Sequence, residues 1–310
     1  MKSIIFVPAV VDTQWIAEIV DGRSLAELPI AGKRIIDYNI EVAQNMGMEM
    51  CEILDWNYSR SVAESFSELT SGTVPVFYQN CFGPKLKGLI DIQRLSTPLT
   101  QNMEDGITVV WGLCLPVNPH EVGAEFEPLA PGECADTPTG VYHRINGRWM
   151  RLRHKMYAIR SPRDWLEISI SLLHNSAGWT LPGYSAEKNA HLGRNVVLEH
   201  GTRVRTPVLL QDNAWCARNV TLDGDVIVGQ GSFISEGAYL KHTLVGDDTY
   251  IGTGLELVDK IVIGRRIIDA ETGFYTDIEE PGLARGLGGG IGWLKKLVAF
   301  IHGKSRGRAA

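Results

Sequence analysis

Two histidines hold equivalent places in the second half of the chain. His200 and His242 each follow an aliphatic residue, Leu198 and Leu240, by two positions. An imidazole titrates close to neutral pH, so either ring can take a proton from an attacking hydroxyl or amine. The same side chains also read as exposed polar groups near turns. In the first half, Arg23 and Lys33 bracket the stretch "SLAELPIAGK". Both are cations able to meet a phosphate, and both also read as ordinary loop and turn residues. The five cysteines, Cys51, Cys81, Cys114, Cys134 and Cys216, are scattered, odd in number and free of CxxC spacing. They read as the reduced thiols of a cytoplasmic protein.

The elements that place the histidines follow from a repeat. Stepping by six from Leu192 meets Leu198, Val204, Leu210, Cys216, Leu222, Val228, Ile234 and Leu240. The phase then slips by one residue and resumes at Val245, Ile251, Leu257 and Ile263. Smaller apolar residues recur two positions earlier, at Val196, Val208, Ala214, Val220, Val226 and Ala238. A period of six fits neither an α-helix nor a hairpin strand. It fits a triangular coil whose flat sides each point one aliphatic residue inward, with glycines expected at the tight corners. The pattern resembles the hexapeptide-repeat family, which implies an all-β, left-handed parallel β-helix over 185–268. On such a coil His200 and His242 belong to different faces.

The first half alternates strand-like and helix-like runs, as in an α/β layered domain with a mostly parallel sheet. "KSIIFVPAVV", "MCEILDW", "TVPVFYQN" and "GITVVWGLCLPV" read as strands. "KRIIDYNIEVAQNMG" puts Ile36, Ile40, Ala43 and Met46 on one helical face and stops at Gly47. "SPRDWLEISISLLHN" offers Ser161 as an N-cap and Pro162 at the first helical position.

In this order the elements resemble a sugar nucleotidyltransferase, also called a nucleoside-diphosphate-sugar pyrophosphorylase. "LPIAGKRIIDY" is similar to the family's "xPxxGKPxxxY", and "IRSPRDWLEISISLL" to its "xGTPxDYLxxNxxLL" helix. "YQNCFGPKLKGLIDI" resembles the segment in which a Gln reads the base and a glycine closes on the nucleotide. The resemblance implies a shortened, Rossmann-like nucleotidyltransferase domain over 1–175. It makes Gln79, Gly88 and Gly112, with Arg23 and Lys33, candidates for binding a nucleotide or nucleotide sugar.

The family joins a sugar 1-phosphate to a nucleoside triphosphate, so phosphate charge must be held by Mg²⁺ and cationic groups. Each piece that does this departs from the family's pattern here. No glycine precedes Gly22, so the "GxGTR" loop is missing. Ser24 and Leu25 stand where the family has Pro-Lys. Leu113 and Ala158 stand where it has its two metal-binding aspartates. The expectation is a binding, regulatory or assembly subunit of nucleotide-sugar or cell-envelope polysaccharide metabolism. Mg²⁺ enters only if nucleotidyl transfer survives on relocated groups. The alternative is acyl transfer from acyl-CoA on the β-helix, with His200 or His242 as base.

The net charge of −6 is unevenly spread, because the residues from Pro281 onward hold six Lys or Arg and no acid. So acidic a body argues against nucleic acid as a partner. The tail, 285–310, reads as a basic amphipathic helix that either caps the β-helix or lies on an anionic membrane surface. The β-helix is expected to make a homo-oligomer.

Overall fold

A computed structural model describes residues 2–20, 23–57, 75–92, 95, 106–120, 125–153, 155–174, 178–187, 189–278 and 284–286. The chain divides into two compact units, Met1–Thr180 and Leu181–Ala310. Among the described residues strands outnumber helices in both. Among the described residues no helix is long and apolar enough to cross a membrane.

The first unit contains β1 (Ser3–Val7), the helix α1 (Gln14–Ile19), and a two-residue ladder of β2 (Pro29–Ile30) with β3 (Lys33–Arg34). Next come α2 (Ile35–Asn45), β4 (Met50–Asp55), β5 (Val76–Asn80) and the short α3 (Leu89–Ile92). Then follow β6 (Ile107–Trp111), β7 (Cys114–Pro116), β8 (Phe126–Pro128), β9 (Gly140–Ile145), β10 (Arg148–Leu152), β11 (Met156–Ala158) and α4 (Pro162–His174). Seven strands form one sheet in the order β5-β4-β1-β6-β9-β10-β8. The first four are parallel, as the apolar runs imply. The other three are antiparallel, which corrects the expectation of a mostly parallel sheet. The β9–β10 turn is Asn146-Gly147, both at positive φ (50° and 72°), the geometry of a two-residue hairpin. α2 buries Ile36, Ile40 and Ala43 against β1 and β4. α4 begins as its sequence indicates, with the Asp164 amide donating to Ser161 Oγ at 3.1 Å.

The second unit is built from parallel ladders. In the first, Ala190–Leu192, Val208–Leu210 and Val226–Val228 pair in register 18 residues apart. In the second, Val197–Leu198, Trp215–Cys216 and Phe233–Ile234 do the same. In the third, Arg203–Arg205, Thr221–Asp223 and the start of Tyr239–Val245 follow. Beyond these the step shortens, so that Val228 pairs with Val245 and Val245 with Val262. Residues at the predicted inward positions, from Leu210 to Leu257, form a single apolar cluster with the smaller residues two places before them.

Three details differ from the expectation. Leu198 and Val204 are exposed (43% and 37%), because no earlier coil covers the first turn. The last inward residue is Val262 rather than Ile263, since the chain drops a second residue at the corner after Leu257. The glycines at 193 and 229 serve close approach rather than positive φ. A Cβ on Gly229 would sit 2.5 Å from the Asp247 amide nitrogen, and one on Gly193 would sit 2.6 Å from the Gln211 carbonyl carbon. Positive φ is shared between other glycines, among them Gly201, Gly224, Gly231 and Gly264, and Asn195, Asn213, Asn219, Asp225 and Asp248, whose short polar side chains tolerate it. The tail beyond residue 286, with both of its expected roles, lies outside the described residues.

Burial at a repeat position therefore sets its energetic weight. Leu222→Ala should cost about 2–5 kcal/mol in urea unfolding, the range for a fully buried leucine. Leu198→Ala should cost less than about 1 kcal/mol, as for an exposed position.

Candidate functional site

In an open α/β sheet, ligands meet the carboxyl ends of the strands where the strand order reverses. Here that point lies between β1 and β6, with α2 over it. The chain leaves β1 through Pro8 and Ala9 into a 3₁₀ turn, Val11–Thr13. The Val10 amide is already bonded to Thr13 Oγ1 at 3.0 Å, so it is turned to its own loop. Leu25 and Leu113, at the positions of the family's lysine and one of its aspartates, are 1% and 0% exposed. Phe6, Ala26, Ile36, Val110 and Leu113 close on a space of about 10 Å³, about enough for one water. Ala158 ends β11, paired with Cys114. These residues do not fit a Mg²⁺ site, since apolar side chains stand where hard oxygen ligands are needed. Among the described residues no group of three His, Cys, Asp or Glu could hold a metal.

The binding candidates are spread over the unit. Lys33 Nζ is 3.2 Å from Glu41 Oε2 and lies over the Tyr38 ring, so its charge is already satisfied within the fold. Gln79 is exposed on β5. Gly88 is buried, and a Cβ there would come within 2.6 Å of the Ala135 backbone, so its bareness serves internal contact. Gly112, at φ +75°, turns the chain between β6 and β7 beside Thr139. Arg23 is exposed, and its carbonyl accepts from Asn57 Nδ2 at 3.3 Å.

A polar centre that spacing did not reveal lies at the ends of β4 and β5. Asp55 is wholly buried. Its carboxyl accepts from Ser24 Oγ, from Tyr78 OH at 3.0 Å and from the Asn57 amide at 3.1 Å. Burial pushes the Asp55 carboxyl up, against the opposing pull of these donors. Burial also lowers the Lys85 ammonium, which Asp55 counteracts. Ser24, standing where the family has a proline, thus ties its loop to the sheet.

In the second unit His200 and His242 sit at different corners. His200 is exposed, and its carbonyl accepts the Asn219 amide at 3.3 Å. His242, at φ +45°, has Nδ1 2.7 Å from Asp259 Oδ1. An ionised carboxylate can only accept, so Nδ1 carries a proton, and in the neutral ring the lone pair is then on Nε2. Asp259 lies 17 residues beyond His242, one coil at the shortened step. That spacing was the available signal.

No known family's sequence profile matches the chain. It is 25% identical over 123 residues to a UTP–glucose-1-phosphate uridylyltransferase of Synechocystis, covering 39% of this chain and 31% of that protein. It is 30% identical over 95 residues to a 2,3,4,5-tetrahydropyridine-2,6-dicarboxylate N-succinyltransferase of Caulobacter vibrioides, covering 27% of this chain and 33% of that protein. The chain thus spans about a third of the length of each curated relative. One is a nucleotidyltransferase by name and the other an acyl transferase, so the likeness extends to transferases of two kinds.

Asp55 should leave a signature in the pH dependence of stability. Well below the ordinary carboxylate pKa of 3.8, folded and unfolded chains both hold the proton. As pH rises past that value the unfolded chain releases it first, so stability falls until the raised folded value is passed. Urea unfolding over an acid-to-neutral series should show this loss in the wild type. Asp55→Asn should lack it, and parallel curves for the two proteins would exclude Asp55 as its source.

Proposed function

We propose that the first unit is a nucleotidyltransferase-type domain that has lost metal-assisted nucleotidyl transfer. It serves as a binding, regulatory or assembly subunit in nucleotide-sugar or cell-envelope polysaccharide metabolism. The second unit is a left-handed parallel β-helix through which copies of the chain associate. The observation that carries this reading is the burial of Leu25 and Leu113 at the positions of the lysine and aspartate. A buried leucine offers neither charge for a triphosphate nor an oxygen for Mg²⁺, and opening the space would expose the core. The partial likeness to the uridylyltransferase supports the domain type, and that to the succinyltransferase, with the 18-residue ladders, supports the β-helix. Arg23 and Gln79, both exposed, remain candidate contacts for a nucleotide sugar.

The protein with UTP, glucose 1-phosphate and Mg²⁺ should release no pyrophosphate above background, whereas calorimetry with UDP-glucose should show Mg²⁺-independent binding. Turnover, or triphosphate binding that requires Mg²⁺, would sink this reading.

A second reading is favoured by the contact between His242 and Asp259. With Nδ1 held by the carboxylate, Nε2 can take the proton of an acceptor amine as its nitrogen attacks the thioester carbonyl of an acyl-CoA. The carbon–sulfur bond then breaks, and the imidazolium returns the proton to the departing CoA thiolate. If this reaction occurs, His242→Asn should abolish CoA release in the presence of acceptor, measured as free thiol. Asp259→Asn should lower it about 10²-fold or more through loss of ring orientation. CoA release unchanged in both variants would remove His242 from the chemistry.

A further inference from the structure

The amino-terminal end of the coil stack carries a cleft that neither proposed activity uses. Its volume is about 460 Å³, and its lining includes Tyr184, Arg194, Gln211, Asp212 and Gln230. Such a volume lies within the range of small-molecule sites. The local fold builds the cleft in two steps. Tyr184–Glu187 lies antiparallel to Ala190–Leu192, and Gly183 is pressed so close that a Cβ would be 2.9 Å from the Leu192 carbonyl. This brings Tyr184 to the mouth with 70% of its surface exposed. Arg194, Asp212 and Gln230 are then equivalent residues of successive coils, one above the other at a single corner. The Asn213 amide donates to the Arg194 carbonyl and the Gly231 amide to that of Asp212.

The hydrogen bonding at this corner defines what is offered to a ligand. The Arg194 amide donates to Asp212 Oδ1 at 2.7 Å, and the Gln230 amide to Asp247 Oδ1 at 2.8 Å and Gln211 Oε1 at 3.1 Å. The Arg194 and Gln230 backbone amides are therefore taken, and at these two positions recognition falls to the side chains. The Arg194 guanidinium is held by Asp212 through Nε at 3.0 Å and Nη2 at 2.9 Å. That grip fixes the planar fork at an exposed site and leaves its other N–H groups for a second acceptor. Arg194 and Asp212 cancel in charge, so the cleft does not select an ion. A flat aromatic face, a fixed guanidinium, a carboxylate and the Gln230 amide provide an apolar platform beside both donors and acceptors. This combination matches a ligand with an apolar ring face and a rim of hydroxyls.

We propose that this cleft is a binding site for a neutral saccharide of one or two rings, stacked on Tyr184 and hydrogen-bonded at its edge by Arg194, Asp212 and Gln230. The site does not depend on the reading of the first unit. The test is saturation-transfer-difference NMR on the full chain, with maltose as the neutral probe and glucose 1-phosphate as the charged one. Maltose ring protons should receive saturation. Tyr184→Phe should keep the signal, Tyr184→Ala should lose it, and Arg194→Ala should weaken it several-fold, all with the wild-type melting temperature. Absence of transfer to maltose, or transfer unchanged in both alanine variants, would overturn the site. A stronger response to glucose 1-phosphate than to maltose would overturn its assignment to neutral sugars.

Discussion

The second unit depends on bringing one small apolar side chain back over its predecessor every 18 residues. Each such residue loses its water only if the next coil arrives in register, so the ladders and the interior cluster are one constraint seen twice. Corner chemistry follows from it. A corner must turn sharply without lifting the strands apart, which is why bare glycines meet the next coil at 193 and 229 while the left-handed conformation just beyond them falls to Asn195 and Gly231. When the chain drops a residue after Leu240 and again after Leu257, the interior stays filled by Val245 and Val262, and the cost falls on the corners. His242 and Asp259 occupy those shortened corners, both at positive φ. A full 18-residue step from His242 would reach Lys260, an ammonium beside the imidazole. The shorter step supplies a carboxylate, so the orientation of the His242 imidazole is a product of register.

In the first unit the same preference for burial governs the carboxyl ends of β1 and β6. The switch point between β1 and β6 is where a phosphate-handling enzyme would concentrate charge, and such concentrations oppose stability. With Leu25 and Leu113 there, the ends of β1 and β6 become part of the core, each side chain worth about 1.5–3 kcal/mol of burial. Polarity has not left the carboxyl edge. It stands at β4 and β5, where Asp55 draws Ser24, Tyr78 and Asn57 together. A carboxylate so enclosed costs desolvation that its donors only partly offset. Its gain is positional, because the loop that begins at Ser24 is tied to the sheet.

Legibility followed the range of the interactions. The period of six could be read because each coil side needs its aliphatic residue at a fixed distance along the chain. The parallel strands and the helices α2 and α4 could be read from local patterns of the same kind. The antiparallel half of the sheet carries a local signal too, the Asn146-Gly147 turn, which stands beside apolar runs that point to parallel pairing. Asp55 could not have been read. Its side-chain partners lie 31 and 23 residues away in a loop and on another strand, and no periodicity joins them. Lys33 shows the opposite failure, a cation with a plausible ligand role whose charge is taken by Glu41 one helical segment away.

The two polar centres differ in what they can do. Asp55 is surrounded by donors and closed to water, so its oxygens are committed and its raised carboxyl makes it a poor counter-charge for an incoming ligand. His242 is half-buried, holds its carboxylate on one nitrogen and presents the other from an outer corner. Proton transfer requires an accessible lone pair whose geometry is set before the substrate arrives. Of the two, the His242 corner is the one with an oriented and partly exposed ring. A buried latch closes the ends of β4 and β5, and an imidazole–carboxylate pair stands on a corner of the coil.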